Sequence, residues 1–134
     1  MKTDRLVARL PLLLVLNALV CAAIGLAAVL NTARVAQYLV IAPAWVISGG
    51  LAHLVLSLAS ARVARLPERS RRDVMPLGIG NMALAVLCLL VFIADLIAPG
   101  LVGMFVIVGL AIIILVIGDL IYIASRGLPA TRAR

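Results

Sequence analysis

Four stretches of the chain are almost free of polar residues: Leu10–Leu30, Leu39–Ala61, Leu77–Ala98 and Leu101–Ala124, each 21 to 24 residues long. A helix needs about 20 residues to cross the hydrocarbon core of a bilayer. The runs lack the strict alternation of a barrel strand, and backbone facing lipid must satisfy its own hydrogen bonds, so all four are predicted to be helices. The predicted fold is an all-α membrane protein, a bundle of four transmembrane helices forming a single domain over residues 1–134. Nothing outside the spans is long enough for a soluble domain. The composition agrees, with 66% hydrophobic residues against the roughly 45–50% of soluble domains.

The net charge of +7 changes the picture only through its placement. Lys2, Arg5 and Arg9 precede the first span; Arg62, Arg65, Arg69, Arg71 and Arg72 lie between the second and third; Arg126, Arg132 and Arg134 follow the fourth. Arg34 alone falls on the other side. Under the positive-inside rule this bias puts both termini and the basic 62–76 loop in the cytoplasm, with the chain multi-pass in a bacterial inner membrane. The loop arginines suit anionic lipid headgroups. No nucleic-acid motif is present and no aromatic residues interleave with the basic ones, so nucleic acid is not an expected partner. The first run follows basic residues as a signal peptide would, but its apolar stretch exceeds the usual 7–15 residues, so it is expected to stay as a span. On the opposite side, residues 31–38 form a short polar bridge. Pro99-Gly100 leaves room only for a turn, which makes spans three and four a tight hairpin.

The two halves align as a candidate parallel repeat: matching Asn17 to Asn81 brings Asn31 onto Asp95, and HLVLSLASAR falls close to DLIYIASRG. Counting inward from the basic flanks gives a second pattern. Asn17, His53, Asn81 and Asp119 each lie about 7–9 residues from a charged flank, roughly 10–14 Å along their helices. A charged side chain facing lipid costs about 2.5–3.5 kcal/mol at a helix centre, so all four are expected to point into the bundle as one polar layer. That layer either fixes helix register through mutual hydrogen bonds or forms a ligand or proton site in which His53 and Asp119 share a proton. Asn31 and Asp95 fall at the other helix ends, as an outer rim.

Other chemistries find little support. His53 is the only histidine, too few for a zinc or haem site, and no cofactor is expected. Cys21 and Cys88 sit at bilayer depth, where a thiol acts as a small apolar group. Ser57, four residues from His53, is expected to bond back to its own helix, and no nucleophile elbow, HExxH pair or phosphate loop suggests an enzyme. Gly49, Gly50, Gly78, Gly80, Gly103, Gly109 and Gly118 offer close helix approach. Trp45, Tyr38 and Tyr122 are placed to anchor depth at the interfaces.

The segments GIGNMALAVLCLL, IAPGLVG and IAPAWVISGG, with Asp119 near the end of span four, make the chain similar to a broad group of small bacterial integral membrane proteins with four spans. It departs from them at Leu84, where they carry a tryptophan. That resemblance implies the fold and no activity. The leading expectation is a non-enzymatic membrane scaffold or subunit that self-associates or supports a larger complex. The alternative is a small transporter or ligand-binding protein that uses the Asp119, His53, Asn17 and Asn81 layer for a proton or small cation.

Overall fold

A computed structural model describes residues 2–93 and 99–131. It contains α1 (Lys2–Leu30), α2 (Thr32–Leu39), α3 (Pro43–Ala64), α4 (Arg71–Ile93) and α5 (Leu101–Ser125), with no strand among the described residues. Four of these, all but α2, are long and apolar enough to cross a membrane, so the four-span bundle read from the sequence stands. The surface confirms which solvent the bundle is built for. Leu58 is 72% exposed while Asn17 is fully buried, the reverse of a water-soluble helix packing.

Helix ends depart from the hydrophobic runs where capping chemistry overrides hydropathy. The second span begins at Pro43, not Leu39, because α2 ends at Val40 in a left-handed conformation (φ 60°, ψ 47°) and the proline suits the first turn of the next helix. The polar bridge at 31–38 is mostly the short helix α2, with Ala36 buried and Arg34, Gln37 and Tyr38 exposed. At the basic side, α3 runs on to Ala64, where Arg69 folds back to donate to the carbonyls of Val63 (3.1 Å) and Ala64; the Val63 carbonyl also accepts from the N–H of Leu66 at 3.2 Å. Helix α4 starts at Arg71, six residues before the expected Leu77. Asp73 accepts from both the backbone N–H (3.0 Å) and the hydroxyl (2.7 Å) of Ser70, as in a capping box. The 62–76 loop is thereby reduced to Arg65–Ser70. Arg62, Arg65 and Arg72 remain exposed, whereas Arg69 is half-buried. The chain after α5 turns back on the bundle, where the Pro129 carbonyl accepts from the N–H of Arg71 at 2.8 Å.

The spans pack as two antiparallel pairs, α1 with α3 and α4 with α5. Each pair touches at glycines. A Cβ on Gly25 would come within 2.8 Å of the Gly50 carbonyl, and one on Gly78 within 2.9 Å of the Gly118 carbonyl. Gly49 and Gly109, also expected at contacts, face open space. On the basic side the pairs join through Leu10, Leu14, Val74, Leu77, Ile117 and Ile121, with Ala59 and Val63 of α3 packed against them. Further out the joining cluster shrinks to Ala85, Ala111 and Ile114, flanked by Ile24, Leu89 and Leu115, and α3 takes no part.

Val40 carries the one positive φ among the described non-glycine residues. A β-branched side chain in that conformation costs about 1–2 kcal/mol, which asparagine largely avoids. Val40→Asn is expected to stabilise the protein by about 1 kcal/mol in thermal melts in one fixed detergent. A lower melting temperature would mean that Val40 contributes packing that outweighs its strain.

Candidate functional site

Asn17 and Asn81 meet at the centre of the bundle, both fully buried. The Asn81 amide donates to Asn17 Oδ1 at 3.0 Å, and the Asn17 amide donates to Ser60 Oγ at 2.8 Å, so one chain of bonds ties α4 to α1 and α1 to α3. Cys21, one turn beyond Asn17, directs its thiol at Asn17 Oδ1 (3.7 Å) and Asn81 Oδ1 (4.0 Å) as a weak donor. Ser57 donates to the Ala18 carbonyl at 2.8 Å, across to α1 and not back to its own helix as expected. These bonds lie where all four spans converge.

His53 and Asp119 do not join this network. His53 shares a face of α3 with Ser57 and Ser60, four and seven residues on, and the contacts of Ser60 with Asn17 and of Gly50 with Gly25 set its level. It therefore lies about seven residues, roughly 10 Å, farther from the basic side than Ser60. Counting inward from Arg62 placed it in the layer because that count ignored how far α1 and α3 are offset. Asp119 is at the depth of the layer, since its neighbour Gly118 abuts Asn81, but one residue turns it about a quarter of the way round the helix and it is exposed. The expectation that all four polar residues face inward fails for Asp119, and no His53–Asp119 pair forms. Among the described residues Asp119 takes part in no hydrogen bond or ion pair. Asn31 is exposed at the start of α2, at the far end as expected, and makes no side-chain capping bond. Asp95 lies outside the described residues.

Above the network α3 separates from α4 and leaves a cleft of about 810 Å³. Ile24, His53, Ala85 and Ile114 line it nearest the network; Arg34, Tyr38 and Trp45 line it at the α2 end. Its walls are otherwise almost wholly aliphatic. His53 Nδ1 lies 2.7 Å from the Gly49 carbonyl, an acceptor only, so Nδ1 carries the proton. The other ring nitrogen, Nε2, is buried with no partner.

Sequence reasoning found Asn17 and Asn81 but missed Ser60, and it gave Ser57 and Cys21 roles other than the ones they take in the network. The signal was there: Ser60 and Ser57 repeat the helical spacing of His53, and Cys21 stands four residues from Asn17.

Replacing Asn17 by Leu strips partners from Ser60 and Asn81, and interhelical bonds in membranes are worth about 0.6–2 kcal/mol each. Asn17→Leu and Asn81→Leu are each expected to lower unfolding free energy in mixed micelles. The double variant should lose less than the sum of the two, with a coupling of about 0.6–1.7 kcal/mol. Strict additivity would show that the amides do not bond.

No family model matches the chain, and neither the curated proteins nor the solved structures show a match to it, so its functional reading rests on its own geometry.

Proposed function

We propose that this protein is a non-enzymatic subunit of a larger membrane complex, held to a partner helix by the outer face of α5. The observation that carries the reading is Asp119, a carboxylate exposed on the bundle at the depth of its buried amide layer. Lipid offers it no hydrogen-bond donor, and intramembrane acids are rarely left facing hydrocarbon. Around it the surface is apolar, with Ile112 and Val116 exposed on preceding turns of α5, and Gly109 on the same helix leaves open space for close approach. A partner helix bringing an arginine, lysine, asparagine or serine to that depth would satisfy the carboxylate. Self-association through this face about an axis normal to the membrane would instead oppose two Asp119 carboxylates, which repel unless they share a proton.

In this reading the subunit sits in a bacterial inner membrane with both termini cytoplasmic, supported by the arginine bias. Arg62, Arg65 and Arg72 then face anionic headgroups. The transporter alternative needs Asp119 and His53 in one site. Their separation removes its support.

The test is site-specific photocrosslinking in native membranes from α5 positions Ile112 and Val116, with Leu58 on the exposed face of α3 as control. One discrete adduct is expected from α5 alone, and Asp119→Leu should reduce its yield roughly three- to thirty-fold, the worth of about 0.6–2 kcal/mol. The same substitution should leave the melting temperature of the isolated chain unchanged. Adducts insensitive to Asp119→Leu, or only lipid adducts, would refute the proposal. An adduct of two copies of this chain would replace the partner with self-association.

A further inference from the structure

The cleft between the helix pairs is independent of the Asp119 face and poses a different question. At about 810 Å³ it is within the roughly 300–1,000 Å³ range of small-molecule sites, and it combines an apolar lining with very few polar groups, the usual make-up of such a site. Acyl chains alone could fill it, but they would leave His53 Nε2 without a partner. That atom is buried on a residue only 6% exposed, and a buried polar atom lacking a hydrogen bond is a standing cost.

The chemistry of the missing partner follows from the other side of the ring. Because Nδ1 donates to the Gly49 carbonyl, neutral His53 presents Nε2 as an acceptor. The complementary group is therefore a donor. The charge at the mouth narrows the class: among the described residues Arg34 is the only charged one lining the cleft, and its guanidinium disfavours a cation. We infer that the cleft binds a membrane-dissolved molecule with an apolar body and a hydroxyl group, the hydroxyl donating to His53 Nε2 and the body lying along α3 toward Trp45. His53 and Trp45 are eight residues apart on α3, so the body spans roughly 12 Å.

Trp45 is the only tryptophan of the chain and it lines the cleft while being 42% exposed, so occupancy is read as the saturable quenching above the linear quenching by probe dissolved in the bilayer. The probes are 11-bromoundecanol, whose bromine quenches tryptophan, and its methyl ether, which differs in lacking the O–H donor. The protein in nanodiscs is titrated with each. The alcohol is expected to quench at about tenfold lower concentration than the ether, the effect of satisfying one buried acceptor. His53→Leu should abolish that preference, and His53→Gln, which keeps an acceptor, should retain part of it. Gly49→Leu supplies a variant that does not depend on altering the histidine. Gly49 lines the cleft and a Cβ there meets nothing within 4 Å, so a leucine starts at the lining with no clash at its Cβ and adds apolar volume there. It should leave the melting temperature equal or higher while removing saturable quenching by the alcohol. Equal quenching by alcohol and ether, a preference that survives His53→Leu, or saturable binding that survives Gly49→Leu would each overturn the inference.

Discussion

A bilayer offers a buried amide no partner except another part of the protein. That constraint organises this bundle. Asn81 donates to Asn17, Asn17 donates to Ser60, and in doing so they hold three of the four spans at one level. The aliphatic contacts from Leu10 to Ile121 on the basic side of the network lie where these bonds keep the helix pairs together. Where the bonds stop, α3 and α4 part, although Ile24 of α1 still packs against α4 and α5 and the Gly100 N–H still donates to the Leu39 carbonyl at the far end. Nothing polar ties α3 to α4 beyond Ser57 among the described residues, and the cleft opens there.

Much of this was legible in the chain. Unbroken apolar length identified four spans, because hydrogen-bond satisfaction in lipid leaves so few alternatives. The polar layer was legible too, to the extent that two asparagines in apolar helices must find partners. Helix ends were less so, since they depend on side-chain caps such as Ser70 with Asp73 and Arg69 on α3, which hydropathy does not register. Depth was also hard to read. His53 and Ser60 are two turns apart, and only the offset between α1 and α3 decides which of them meets Asn17. Direction around the helix was hardest. Gly118 and Asp119 are adjacent in sequence, yet one touches Asn81 and the other is exposed.

Those two misplacements separate what looked like one site into three features with different consequences. The amide network is internally satisfied and holds the helices together. Among the described residues Asp119 has no partner on the outside of the bundle and His53 Nε2 has none on the inside, so the proposed partner helix and the proposed ligand rest on separate atoms. A transporter built on a His–Asp proton pair would have required both residues in the same place.

The Asn17–Asn81–Ser60 bonds thus clamp α1, α3 and α4 at one level, and α3 and α4 stay apart beyond it. Pulsed electron–electron double resonance in nanodiscs tests it directly, with spin labels on α3 and α4 at two levels: Leu58 with Ile79 near the network, and the exposed Leu51 with Leu90, each nine residues farther out than Ser60 and Asn81. The clamp predicts a narrow distance distribution for the first pair and a broader one for the second. Asn17→Leu combined with Asn81→Leu should broaden the first toward the second. A first-pair distribution that stays narrow in the double variant would contradict the claim.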